Sequence, residues 1–177
     1  MSLSAEKIKY YKVLGKDGQP CNGGSGKWHL PENGQPGHWM PKIENIIPCV
    51  RGYHLCRGED LIFWINTEIY EAEGNGEFIR HGNTKDVFPE ARLIKKITAW
   101  NEKNARLFAA DCAEHVLPIF EKQYPNDDRP RKAIYAARDF ATGKISEKEL
   151  MEAADAAWDG EREWQTQKLF QYLKGEK

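Results

Sequence analysis

No run of apolar residues in this sequence approaches the roughly 20 needed to span a bilayer, so a membrane-spanning role is not expected. The first sixteen residues, Met1–Lys16, are polar and carry no apolar segment of the kind a secretory leader needs. The expected compartment is the reducing cytoplasm, with Cys21, Cys49, Cys56 and Cys112 as free thiols. A charge surplus is missing too. Net charge is −1, with 13 basic and 12 acidic residues in 1–100 and 13 basic and 15 acidic in 101–177. Neither half has the excess expected of a protein held to nucleic acid by phosphate contacts. There are no internal repeats and no low-complexity tract.

What is present is aromatic. Six Trp, seven Tyr and seven Phe in 177 residues imply a core, or a binding surface, built largely from rings. Residues 8–14 (Ile-Lys-Tyr-Tyr-Lys-Val-Leu) read as a first strand, ended by the turn formers of Lys16-Asp-Gly-Gln-Pro20. Seven of the fifteen glycines then fall between Gly15 and Gly37, with Pro20, Pro31 and Pro36 among them. That density predicts a long irregular loop carrying Trp28, His29, His38 and Trp39, and long loops in compact domains tend to be functional.

A strand is expected around Tyr53–Cys56, then a short helix over Glu59–Ile65, with a buried strand as its competitor. Glu68–Gly74 alternates as a half-buried strand that puts Glu71 and Glu73 on one face. Gly74-Asn-Gly76 turns the chain, with Glu77–Arg80 as the expected hairpin partner. Ala91–Thr98 is a further strand. From Asn101 the period changes to that of helices. Ala105, Phe108, Ala109, Cys112, Val116, Ile119 and Phe120 fall on one predicted inward face, and Pro118 is expected to bend or fray the last turn.

Pro130 marks a second helix start, preceded by Asp128 or Arg129 and running to about Ala141, with Ile134, Ala137 and Ala141 inward. Ser146-Glu-Lys-Glu149 is a capping box that starts a third helix. Glu161–Leu173 is a last amphipathic segment. The predicted class is therefore α+β. A strand-rich module, 1–100, bears the long Gly/Pro loop, and a helical module of three to four helices, 101–177, packs on it.

No complete catalytic set emerges, and neither a catalytic residue nor a cofactor is assigned. Cys49, His54 and Cys56, with His29 or His38, contain zinc-ligand types. Their spacing is not that of a zinc knuckle, and buried thiols with a structural His are the better reading. Gly23-Gly-Ser-Gly-Lys27 has the glycines and lysine of a phosphate loop without its spacing, and Trp28 stands where a hydroxyl residue should be. Cys112 and His115 lie three apart on one helix, but Cys112 is placed on the apolar face and so reads as buried. Asp127, Asp128, Arg129 and Arg131, with Arg138 further along the helix, either knit helices together or hold an anion; knitting is the more usual use.

Two stretches resemble known families. Gly52-Tyr-His-Leu-Cys-Arg57, followed by Leu61, Trp64, Tyr70–Gly74 and Lys85, resembles a domain of unknown function found in phage and prophage proteins. It is also loosely similar to a strand-then-helix step in ADP-ribosyltransferase-like folds. That likeness implies a cleft for NAD or ADP-ribose lined by Tyr53, His54 and Glu71 or Glu73, without a recognisable late catalytic glutamate. Phe108–Glu121, then Asp127–Ile134, Ala137-Arg138 and Gly143–Ile145, resembles a helical domain called a putative immunity protein, which implies neutralisation of a toxin.

Together these imply a phage- or mobile-element-encoded accessory protein that binds and modulates a host or toxin partner protein without catalysis. Trp28 and Trp39 would serve as an aromatic contact surface. Its rivals are an NAD- or ADP-ribose-binding protein and, more weakly, a single-strand nucleic-acid binder using Lys27, Lys42 and Arg51. Nucleic acid is not the expected partner.

Overall fold

A computed structural model of the chain describes residues 8–158. The fold is α+β. The chain divides into two compact units, Met1–Asn101 and Glu102–Lys177.

The first unit is a six-stranded antiparallel sheet. Its strands are β1 (Tyr10–Leu14), β2 (Tyr53–Arg57), β3 (Glu68–Asn75), β4 (Ile79–His81), β5 (Lys85–Phe88) and β6 (Glu90–Lys96), in the order β4-β5-β2-β1-β3-β6. Short 3₁₀ turns occupy Lys16–Gly18 and Gly58–Phe63, the second at the site of the expected short helix. Only Pro89 separates β5 from β6, yet the two strands lie on opposite sides of the sheet. The sheet must therefore coil until its sides meet at that corner. Gly74 records the closure. A Cβ there would come within 2.4 Å of the Phe88 ring, so only glycine lets β3 pass this close to β5.

Alternation then sorts the side chains. Leu14, Leu55, Tyr70, Ala72, Phe88, Ala91 and Leu93 fill the interior, with Trp28 entering from the loop. Arg57, Asp86 and Arg80 close the same interior at one end. Asp86 is fully buried. It accepts from Tyr10 Oη at 2.8 Å, Arg57 Nε at 3.0 Å and Arg80 at 3.2 Å. Arg80 also reaches Asp60 at 2.7 Å and the Asn83 carbonyl, so one buried charge cluster ties β1, β2, β4, β5 and the second 3₁₀ turn together.

The long loop has a structural task as well. The backbone N–H groups of Gly37, Met40 and Ile43 donate to the carbonyls of Leu93, Ala91 and Pro89, which covers the free edge of β6. One hairpin expectation is corrected. Ile79–His81 does not return along β3, because both sides of β3 are taken by β1 and β6. It pairs with β5 instead.

In the second unit α1 spans Glu102–Gln123 and α2 spans Arg129–Ala141, and a third helix begins at 147 and continues through 158. The third starts as the capping box requires, with Ser146 N–H and hydroxyl both 2.7–2.8 Å from Glu149. The expected segment Glu161–Leu173 lies outside the described residues.

One expectation for α1, its inward face, fails. The helix continues through Pro118 to Gln123, so the proline does not end it. Its buried face is Ala110, Ala113 and Leu117, packed on Ile134 and Ala137 of α2. Val116 and Ile119 are 53% and 75% exposed, and Cys112 is exposed. The helix carries two apolar stripes roughly 130° apart at 100° per residue, and spacing alone selected the more continuous one.

Candidate functional site

The first unit holds a cavity of about 740 Å³ bounded by β1, β2, the glycine-rich loop and residues 49–56. It opens where the sheet splays. β1 and β2 pair at Tyr10↔Arg57 and Tyr11↔Cys56 and then separate. Beyond that point the His54 carbonyl has no ladder partner from β1, and the Lys12 ammonium takes it at 3.1 Å. Lys12 shares its strand face with Tyr10 and Leu14, so its stem runs inward and its charge lies 5.0 Å above the Trp28 ring. Burial, reinforced by the nearby Lys85, pulls its pKa from 10.5 down to about 8.

Lys85 projects into the same cavity from β5. Its ammonium is 3.3 Å from Cys49 Sγ and 4.9 Å from the centre of the Trp64 ring.

The Gly-Tyr-His-Leu-Cys segment proves to be a structural staple. Gly52 adopts φ +137°, where a Cβ would also come within 2.5 Å of Val87. The ring of His54 accepts the Cys49 backbone N–H at Nε2, 3.0 Å away, and is hydrogen-bonded to the Gly52 backbone. Burial, together with the Lys12 and Lys85 charges, holds its pKa down to about 4. It is therefore neutral at pH 7 and already committed to the turn. Cys56 is buried, donates to the Tyr11 carbonyl at 3.5 Å, and has its pKa pushed up to about 11 by burial. It is an unreactive thiol. Cys49 is exposed rather than buried. Among the described residues no group of three or more His, Cys, Asp or Glu converges as metal ligands would.

Of the residues singled out in the sequence, Lys27, Trp28, His29, Cys49, Arg51, Tyr53, His54 and Cys56 line this cavity. Trp28 is only 6% exposed and meets Tyr53 edge-to-face at 5.5 Å, so it is a core ring and not a surface contact. Tyr53 donates to the Pro41 carbonyl at 2.7 Å. Trp39 lies apart, under the Arg92 guanidinium at 4.6 Å, and Arg92 in turn grips Glu73 at 2.8 Å. Glu71 pairs with Lys95 at 3.3 Å. Both glutamates are on the opposite strand face from Tyr70 and Ala72 and are held by cations of β6. Of the residues named for single strands, Lys42 is paired with Glu44 at 2.9 Å and Arg51 donates to the Asn45 carbonyl.

The helical candidates form ion pairs within the second unit. Arg131 grips Glu121 in a two-point contact at 2.6 and 2.7 Å. Arg138 bridges Asp111 and Glu114 at 2.5 and 2.7 Å, Arg129 holds Asp127 at 2.7 and 2.8 Å, and Asp128 pairs with Lys132 at 2.9 Å. The Arg131 and Arg138 contacts join α1 to α2, the knitting role.

Lys12 and Lys85 were not singled out from the sequence for this cavity. A lysine at an inward position of the apolar strand Tyr10–Leu14 was the available signal.

Residues 95–163, under half of the chain, match a family model described as "Imm-5 like putative immunity protein". No curated protein and no solved structure matches the chain. No helix among the described residues is long and apolar enough to cross a membrane.

Proposed function

We propose that this chain is an immunity-type protein that binds and restrains a partner protein without itself catalysing a reaction. The observation that carries the reading is the coincidence of the family match with α1. Within the matched region one stripe of that helix packs on α2, while Val116 and Ile119 stay exposed on another. Singly exposed apolar residues are ordinary, but a second stripe at helical spacing suits a protein contact. The two-point Arg131–Glu121 contact and the Arg138 bridges support it by fixing the α1–α2 pair as a preformed surface, which lowers the ordering cost of binding.

The same reading puts the protein in the cytoplasm and its gene in a phage or mobile element. Genes for secreted or contact-delivered toxins beside it would support that origin.

The test is affinity measurement between the purified full chain and each product of the genes flanking its own. A Val116→Glu/Ile119→Glu double variant serves as control, checked for wild-type helicity. The expected result is a defined complex with one such product, weakened at least tenfold by the variant. A complex of unchanged affinity in the variant refutes the assignment of α1, and the absence of any complex refutes the function.

A further inference from the structure

We propose that the cavity of the first unit is a binding site for a small diphosphate-bearing anion. The proposal is independent of the partner-binding role. Four cationic residues line the cavity, Lys12, Lys27, Arg51 and Lys85, and among the described residues its lining contains no Asp or Glu. That is not a consequence of composition, since the chain has 27 carboxylates against 26 Lys and Arg. Elsewhere in the same unit Arg57, Arg80, Arg92, Lys95 and Lys96 each hold a carboxylate. Among the described residues no carboxylate ion-pairs with any of the four that line the cavity.

The two innermost charges define what fits. Lys12 and Lys85 are each placed over an indole ring, with a carbonyl and a thiol as their polar contacts. Cation–π and carbonyl contacts offset part of the desolvation cost of an ammonium but do not neutralise it. Two like charges in one cavity also repel each other. A ligand with several anionic oxygens relieves both costs at once by bridging them. At about 740 Å³ the cavity is larger than one phosphate requires. Gly23 and Gly26 on its rim sit at positive φ, and their backbone is bare on the Cβ side, open to close approach.

The experiment is calorimetric titration of the full chain with inorganic pyrophosphate and, separately, with ADP. Wild type is compared with Lys12→Met, Lys85→Met and the surface control Lys42→Met. The expected result is binding of at least one probe that weakens tenfold or more in the Lys12 and Lys85 variants and is unchanged in the Lys42 variant. Binding should also weaken as pH rises through about 8, where Lys12 loses its charge. Pyrophosphate and ADP binding alike identifies the diphosphate itself as the recognised group, whereas ADP alone identifies a nucleoside diphosphate. No heat with either probe at millimolar concentration overturns the proposal. So does binding that survives both cavity substitutions, which would place the ligand elsewhere.

Discussion

Replacing Lys12 by Met should make the protein more stable. The Lys12 pKa falls from 10.5 to about 8 on folding, and that difference corresponds to roughly 3 kcal/mol against the charged form. Below pH 8 both the folded and the unfolded chain hold the proton, so the cost is present in full. Between pH 8 and 10.5 the folded protein has released it while the unfolded chain still binds it, so this contribution to stability rises with pH. Met removes the charge and retains most of the apolar stem. Against that gain stand the hydrogen bond to the His54 carbonyl and the contact with the Trp28 ring, about 1 kcal/mol each. The net expectation is about 1 kcal/mol of stabilisation at pH 7, vanishing by pH 10.

Urea unfolding of both proteins at pH 7 and at pH 10 reads the effect. The difference between them isolates Lys12 from other groups in the same window, such as Cys56 and Tyr10, whose raised pKa values act in the opposite sense. A Lys12→Met protein less stable than wild type at pH 7, or a difference that does not change with pH, would refute the reasoning. A residue that costs stability where it stands fits a binding role.

Asp86→Ala should destabilise the protein by about 3 kcal/mol, since it removes the fully buried carboxylate that Arg57 and Arg80 share and leaves only Asp60 to hold Arg80; urea midpoints measure this. Gly74→Val should cost at least the 1–3 kcal/mol typical of overpacking, because the new side chain meets the Phe88 ring, and loss of soluble yield would report it. Native-state thiol titration with an aromatic disulfide should label Cys49 and Cys112 rapidly and leave Cys56 untouched until the protein unfolds.

Local signals in the sequence were read well where one cause governs one element. The capping box at Ser146–Glu149 and Pro130 at the start of α2 act within a few residues, and both fold as expected. The Glu68–Gly74 alternation gave a strand because one face is buried whatever it pairs with. Its partner was not legible, since strand order depends on the closure at Pro89, a feature that no window around Gly74-Asn-Gly76 contains. The α1 face was misjudged for a related reason: a helix with two apolar stripes does not say which one its neighbour covers. Trp28, named as a surface contact, and Tyr53 and His54, named from the resemblance, line the cavity. That Lys12 and Lys85 have no carboxylate partner was not legible, because a missing carboxylate is visible only once distant segments are side by side.

The most direct test of partner restraint is growth protection. Each flanking gene product that arrests growth when expressed alone should be co-expressed with the full chain, and with its Val116→Glu/Ile119→Glu variant. The account predicts that wild type restores growth against one such product and that the variant, expressed to the same level, does not. Failure of wild type to protect against any of them, or full protection by the variant, would contradict it.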